Sequence, residues 1–230
     1  MPEALRARAT AIRIFDWNQR EALRLMRQAV ASAPHDVPIL YGAAVVIGDN
    51  GYLDEALALA GRAIELDPIS LQSYSTSARL EAAGNDVAAE SLYRIACDMA
   101  APDTFHPRFG LFLSLFRQQR FAECELMLPQ WTIAVHRLIP EAMLAWARGD
   151  YATSDANLAE IKKVAAILAC YQITQVHGYR GEADATFVWL EKCIEVRDPG
   201  VFSAKTDRLF RFVHGDARWK PMMKKLGFED

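Results

Sequence analysis

The stretch Asn50-Gly51-Tyr52-Leu53-Asp54-Glu55-Ala56 decides the fold, because it contains a turn followed by the start of a helix. Asn and Gly tolerate the left-handed backbone that a tight turn between two helices needs. Ala56 and Ala63 give the following helix small side chains seven residues apart, where a neighbouring helix can approach closely. Pro68 cannot continue the helix and ends it. The stretch therefore predicts two antiparallel helices joined by a short turn.

The same pattern recurs along the chain with a nearly constant period. Pro34, Pro68 and Pro102 are equally spaced. The predicted turn position recurs at intervals that differ by only a few residues, at Trp17, Gly51, Gly84, Gln119, Gly149 and Gly181. One such turn would be a weak signal. Six at nearly constant spacing predict a repeat protein, in which each helix pair buries its apolar face against the next pair.

The repeat resembles the tetratricopeptide repeat (TPR), a helix–turn–helix unit of about 34 residues. Where TPR sequences carry small residues, Gly and Pro, the second repeat carries Ala44, Gly51, Ala56, Ala63 and Pro68. The resemblance covers nearly the whole chain. It implies an all-α fold, a right-handed α-solenoid of about six helix pairs with a C-terminal capping helix. The first helix of each pair, termed the A helix, would line the concave face, and the second, the B helix, the convex face.

The helices can be placed from the apolar spacing, the turns and the prolines. The predicted A helices span about 2–15, 37–48, 71–82, 107–117, 140–147 and 166–179, and the B helices about 18–32, 53–65, 86–99, 121–128, 151–164 and 183–195. Pro129 and Pro140 would each break a helix interior. We therefore expect an irregular joint near residues 128–141, within a solenoid of residues 1–199.

Residues 200–230 depart from the repeat and are predicted to form a C-terminal extension with a capping helix. Asp216 suits the N-cap of this helix, and Gly227 suits the position after its end. Its apolar stripe should cover the open end of the solenoid. The stripe consists of Trp219, Met222, Met223 and Leu226. We expect Trp219, Met222 and Leu226 to pack against the last B helix, near Phe187, Leu190 and Ile194.

The segment Gly181–Phe228 resembles the C-terminal TPR regions of bacterial class III nucleotide cyclases and winged-helix regulators. The matching residues are Trp189-Leu190-Glu191-Lys192-Cys193, Arg197-Asp198-Pro199 and Lys225-Leu226-Gly227-Phe228. Ala217 stands where that group usually has Pro. The resemblance implies an alternative function, as the C-terminal sensory or regulatory region of a larger signalling enzyme or transcription regulator. A free-standing TPR protein fits the sequence equally well.

Composition and motifs exclude several classes of function. Lys and Arg number 26 against 29 Asp and Glu, so the net charge of −3 excludes a strongly basic nucleic-acid-binding protein. The sequence has no phosphate-binding loop, HExxH, GxSxG or kinase signature. We therefore expect no enzyme, with no catalytic residue, cofactor or metal. His106 and His136 occupy matching positions of adjacent A helices. The axes of packed helices are about 8–10 Å apart, so we expect the two side chains to be too far apart to bind one metal ion.

The cysteines and the hydropathy pattern indicate a cytoplasmic protein. Cys97, Cys124, Cys170 and Cys193 form no CxxC motif and are expected to be reduced thiols that pack between helices. The most apolar stretch is about half as long as a membrane span, and no signal peptide is visible. We therefore expect neither a membrane nor a nucleic acid as a partner.

The candidate binding residues lie on the predicted A helices at positions that face the concave side in TPR proteins. They are aromatic or apolar: Tyr41, Tyr74, Phe109, Leu113, Phe116, Met143, Trp146 and Tyr171. Such a face predicts a regulatory scaffold that binds an apolar or amphipathic segment of a protein or peptide partner. Three alternatives stay open: these residues pack the core of a tight superhelix, they hold the protein's own neighbouring segment, or they form the face of a homodimer.

Overall fold

The computed structural model describes residues 1–228, which contain α-helices and short 3-10 helices and no strand. The α-helices are α1 (Pro2–Phe15), α2 (Gln19–Ser32), α3 (Val37–Asp49), α4 (Leu53–Leu66), α5 (Leu71–Glu81), α6 (Asp86–Met99), α7 (Phe105–Arg117), α8 (Phe121–Met127), α9 (Ala134–Ala147), α10 (Tyr151–Ala165), α11 (Cys170–Arg180), α12 (Ala183–Val196) and α13 (Trp219–Lys225). Helices α1 to α12 form six consecutive pairs, and α13 follows them. The predicted α-solenoid is confirmed. None of these helices has the length and apolarity of a membrane-spanning segment.

The turns within the pairs have the backbone conformation that the sequence predicts. At five of the six turn positions φ is positive: Trp17 (51°), Gly51 (97°), Gln119 (60°), Gly149 (80°) and Gly181 (73°). Gly84 lies outside this left-handed region. Trp17 and Gln119 carry side chains in a conformation that favours glycine. The geometry of the turn is therefore set by the packing of the two helices as well as by the residue in it.

The small residues of the repeat lie where the two helices of a pair meet. The residue five positions after each turn residue is completely buried: Ala22, Ala56, Ala89, Cys124, Ser154 and Thr186 each have 0% exposure. A Cβ atom placed on Gly48 of α3 would lie 3.3 Å from the Cβ of Ala56 on α4. The predicted register of the repeat is correct in this pair, because small residues on both helices permit the close approach.

The joint after the fourth pair differs from the prediction. Helix α8 ends at Met127, and a 3-10 turn over Leu128–Gln130 contains Pro129. Helix α9, however, begins at Ala134, so the prediction that it starts at Pro140 is wrong, and Pro140 lies inside it. Pro140 has no N–H group and cannot donate the helical hydrogen bond to the carbonyl four residues earlier. Ile139, Pro140 and Met143 are all buried, and this burial offsets the missing hydrogen bond. Helix α11 begins at Cys170, four residues later than predicted.

Helix α13 packs against the end of the solenoid. Trp219, Met222 and Leu226 share an apolar cluster with Phe187 and Leu190 of α12, and Ile194 lies at its edge. These predicted contacts are confirmed. The predicted position of Gly227 just after the end of the helix is also confirmed, and its φ is +80°. The predicted N-cap is wrong by two residues. The N-cap is Arg218, and Asp216 instead accepts a hydrogen bond from the Arg218 N–H at 2.9 Å.

The C-terminal segment also reaches the first helix pair, a contact for which the sequence gives no local signal. Gln19 of α2 donates a hydrogen bond to the main-chain oxygen of Leu226 at 3.2 Å. Arg197 donates to the main-chain oxygens of Ile14 and Phe15 at 3.0 and 3.1 Å. The first and last parts of the solenoid are therefore in direct contact.

Candidate binding site on the concave face

Two 3-10 helices, Pro199–Ser203 and Arg208–Val213, lie across the concave face and are termed the tail segment, residues 199–213. Aspartates start both of them: Asp198 accepts from the Gly200 N–H at 2.8 Å and Asp207 from the Leu209 N–H at 3.0 Å. Short aspartate side chains commonly start such turns by accepting from the main chain two residues later. These local hydrogen bonds therefore bend the tail segment independently of its contacts with the A helices.

Two glycines let the tail segment lie directly on α11. A Cβ atom on Gly200 would lie 2.9 Å from the ring of Tyr171, and one on Gly178 of α11 would lie 2.8 Å from the ring of Phe210. Both distances are too short for a normal carbon contact. Tyr171 and Phe210 then meet edge to face, with ring centres 5.9 Å apart. Such aromatic pairs stabilise a contact beyond the area that they bury.

Polar bonds attach the tail segment to helices from both halves of the solenoid. Arg79 of α5 donates to Ser203 at 3.0 Å, and Arg208 donates to Asp86 at 2.5 Å. On α11, the Tyr171 hydroxyl donates to the carboxylate of Asp207 at 2.9 Å. Burial raises the pKa of Tyr171 well above its ordinary value, and the neighbouring Asp207 raises it further, so this hydroxyl remains a donor.

A cavity of about 550 Å³ remains between the tail segment and helices α1, α3, α5, α7 and α11. Its walls combine apolar and charged groups. Tyr41, Val45, Phe109, Leu113 and Phe202 are among the apolar ones. The charged ones include Arg6 and Arg13 of α1, Asp49 of α3 and Arg79 of α5. Its volume and mixed lining are typical of ligand pockets.

Asp49 is the buried acid of the cavity, with 2% exposure. It pairs with Arg13, and Arg79 donates to it at 2.5 Å. Burial alone would raise the pKa of this carboxyl, but the charges of Arg79 and Arg13 outweigh burial and lower the pKa. Burial lowers the pKa of Arg13, although Asp49 opposes the shift. One carboxylate is therefore shared by two guanidinium groups.

Comparison with solved structures identifies the fold. The chain is similar to PilW, a widely conserved type IV pilus biogenesis factor, with a TM-score of 0.62 and 13% identity over 92% of this chain and 97% of that one. It is similar to a tetratricopeptide repeat protein from Parabacteroides merdae, with a TM-score of 0.58 and 14% identity over 98% of both chains. For PilF from Pseudomonas aeruginosa the TM-score is 0.57, with 13% identity over 72% of this chain and 77% of that one. The chain has the TPR fold.

These similarities are structural only. No family model matches the sequence, and no curated protein matches it. At identities of 13% and 14%, likeness in structure carries the fold and no specific activity. The resemblance of the tail to the TPR regions of nucleotide cyclases and winged-helix regulators gains no support from these proteins and stays a prediction.

The TPR concave face holds the predicted binding residues in two different settings. Four of them, Tyr41, Phe109, Leu113 and Tyr171, line the cavity, and four others, Tyr74, Phe116, Met143 and Trp146, do not. Met143 is completely buried, and Phe116 packs edge to face on Tyr179 with ring centres 4.7 Å apart. Trp146 packs on Tyr151 and Arg180. Tyr41 and Tyr74 remain half-buried at equivalent positions of α3 and α5.

The arginines of the cavity were not predicted from the sequence. Cationic residues were expected only at the A-helix positions with which other TPR proteins bind acidic C-termini, and because those positions are aromatic or apolar here, no carboxylate-binding group was predicted. Arg6 and Arg13 lie seven residues apart on α1, on the same side of the helix as Thr10, which also lines the cavity. This i, i+4, i+7 pattern was a signal in the sequence. Arg79 of α5 joins the site through Asp49 of α3, which also pairs with Arg13.

Cys170, Cys193 and the carboxylate of Asp198 form a compact cluster beside the tail segment. Their ligand atoms lie within 4.8 Å of one another, and the two sulfur atoms are 3.1 Å apart. Asp198, however, accepts main-chain hydrogen bonds from Tyr171 and Gly200. The hydrogen bond with Cys170 and then burial raise the pKa of Cys193, so this thiol stays protonated at neutral pH. Cys170 and Cys193 pack between α11 and α12 in the apolar cluster of this end of the solenoid.

Proposed function

We propose that this chain is a non-catalytic protein-interaction scaffold with a regulatory role, whose concave face binds an apolar segment of a partner protein. The observation that supports the proposal is the tail segment. It is a short stretch of mixed polarity lying on that face, and its aromatic anchors Phe202 and Phe210 are exposed by only 2% and 0%. The face therefore has the shape and chemistry to hold such a stretch, whether it comes from this chain or from another.

The contacts of the tail segment describe the chemistry that a partner would need. Phe202 lies under the guanidinium of Arg13, 4.2 Å from the ring centre, and Phe210 lies against Tyr171. Buried aromatic anchors of this kind are each worth about 2 kcal/mol or more at protein interfaces. A partner with two apolar anchors at a similar spacing, in an extended or amphipathic segment, would make the same contacts.

The tail segment gives the proposed scaffold a means of regulation. Because it belongs to the same chain, its effective concentration at the face is on the order of millimolar, so only a tighter segment displaces it. Half-buried Tyr41 lines the same cavity as the tail segment and offers an incoming segment a first contact, and half-buried Tyr74 occupies the equivalent position of α5.

The proposal is tested by using the whole chain as bait for proteins from its source cell and then changing the face. Tyr41→Ala combined with Tyr74→Ala should weaken capture of the recovered partner while circular dichroism shows unchanged helix content. Tyr52→Ala combined with Val188→Ala is the control, because Tyr52 precedes the B helix α4, Val188 lies on the B helix α12, and both side chains are at least half exposed.

A partner captured equally by both double variants would contradict the proposal. Loss of capture on charge reversal at Glu90 or Arg94 would place the site on the B helix α6 instead.

A further inference from the structure

We propose that the cavity between the A helices and the tail segment is a binding site for a small organic acid with an apolar body. The inference is independent of the proposed partner, since it concerns space that remains while the tail segment is in place. The cavity measures about 550 Å³, within the range of pockets that take small molecules.

The cavity wall carries an excess of positive charge. Five arginines line it: Arg6, Arg13, Arg79, Arg117 and Arg208. Their acidic neighbours are Asp49 and Asp207 in the wall and Asp86 behind it, which pairs with both Arg117 and Arg208. Five arginines against three aspartates leave an excess of two positive charges. Such an excess of positive charge along a cavity wall favours an anionic ligand.

The guanidinium groups of the wall have unused hydrogen-bond donors. Arg6 makes no ion pair with any carboxylate of residues 1–228. The Nε of Arg6, the Nε of Arg13 and Nη2 of Arg79 are buried and have no hydrogen-bond acceptor within that part of the chain. Arg13 has 7% exposure. Buried donors are normally satisfied, and a carboxylate offers the oxygen acceptors that guanidinium groups bind most strongly.

The rest of the cavity wall is apolar. Tyr41 and Val45 of α3 and Phe109 and Leu113 of α7 also line the cavity. Such a surface favours a hydrocarbon or aromatic body over water. An acid head at the arginines and an apolar body along α3 and α7 would together satisfy both parts of the wall.

The test uses decanoate, with decanol and decylamine as matched neutral and cationic probes. Isothermal titration with the full chain should show decanoate binding and at least about tenfold weaker binding of the other two probes, since a hydrogen-bonded charge pair is lost. Equal binding of decanoate and decanol would overturn the role of the arginines. So would an absence of decanoate binding.

Two variants locate the site. Arg6→Gln should weaken decanoate binding by about tenfold or more, while Arg8→Gln, on the exposed side of the same helix, should leave it unchanged. Val45→Trp should fill the cavity and abolish binding, with helix content and melting temperature checked for each variant. Binding that survives Val45→Trp, or that responds equally to the Arg6 and Arg8 changes, would overturn the proposal.

A further experiment tests whether the acid group belongs to a small molecule or to the C-terminus of a protein chain. Two synthetic peptides ending in Leu-Phe, one with a free carboxylate and one amidated, are titrated alongside decanoate. Weaker binding of the free-acid peptide than of decanoate supports a small-molecule ligand. Tighter binding of the free-acid peptide would overturn it by placing the acid on a partner chain.

Discussion

Gln19 in the second helix donates its side-chain amide to the main-chain oxygen of Leu226, and this 3.2 Å bond joins the two ends of the solenoid. Gln19 is completely buried, as is Leu226. An open solenoid would leave both ends in water and its concave face accessible. Here the end-to-end contact positions the tail segment across that face, so the closure of the superhelix determines which parts of the binding surface are free.

Removing this bond should destabilise the whole chain. Gln19→Ala leaves the Leu226 oxygen without its donor and creates a small void, so we expect a loss of about 1–3 kcal/mol in the free energy of unfolding. Gln28→Ala, on the exposed side of the same helix, is the control. Chemical denaturation followed by circular dichroism measures both. Equal stability of the two variants would mean that the ends are not held together in solution.

Gly227 provides a second test of the closure. Its φ is +80°, and a Cβ atom there would overlap the main-chain oxygen of Trp17. Gly227→Ala must therefore separate the C-terminus from the first pair, at a cost of about 1–3 kcal/mol. Gly215→Ala is matched to it, since a Cβ atom at Gly215 meets nothing within 4 Å. A melting temperature that falls equally in both variants would contradict the end-to-end contact.

The repeat was predictable because each of its signals is local. A turn residue, a small residue five positions later and a proline after the B helix all act within one helix pair, and Ala56 shows the agreement with 0% exposure. The end-to-end contact was not predictable in this way. It joins Gln19 and Leu226, which are 207 residues apart, and depends on the summed twist of six pairs.

The candidate site was predictable in part for the same reason. The aromatic positions of α3, α7 and α11 could be assigned from the repeat, and Tyr41, Phe109 and Tyr171 do line one cavity. The folding back of residues 199–213 could not, because it depends on Gly178 and Gly200 lying opposite large rings. The predicted helix start at Pro140 was wrong because the helix-breaking tendency of proline was outweighed by the burial of its neighbours in α9.

The close approach of α3 and α4 can be tested at Ala56. Ala56→Leu should overpack the contact with Gly48 and cost about 1–3 kcal/mol. Ala58→Leu changes an exposed residue of the same helix and should have little effect. Thermal unfolding of both variants decides the point. An unchanged midpoint for Ala56→Leu would show that the register of the second repeat is wrong.

The lowered pKa of Asp49 predicts how the free energy of unfolding depends on pH. Its pKa in the folded chain is lowered from 3.8, so its stabilising contribution is complete above about pH 5 and is lost as the pH falls through the folded-state pKa. Asp49→Asn leaves Arg13 and Arg79 without their carboxylate and should cost about 3 kcal/mol or more at pH 7.

The stability difference between wild type and Asp49→Asn should narrow as the pH falls from about 5 to about 2. Denaturant titrations across this range measure it, with Asp54→Asn on the exposed side of α4 as the control. A difference that stays constant with pH would show that Asp49 is not held ionised by the two arginines.

In the proposed function, the concave face binds apolar segments and the chain's own tail segment occupies it. The most direct measurement is the fluorescence anisotropy of a labelled peptide of residues 199–213, titrated with two forms of the full chain. One form is wild type, and the other carries Phe202→Ala and Phe210→Ala, which weaken its own tail and leave the face intact. We predict that the peptide binds the double variant at least about tenfold more tightly than wild type, because the tail no longer competes at high effective concentration. Equal binding to both forms, or binding to neither while the double variant remains folded, would contradict the account.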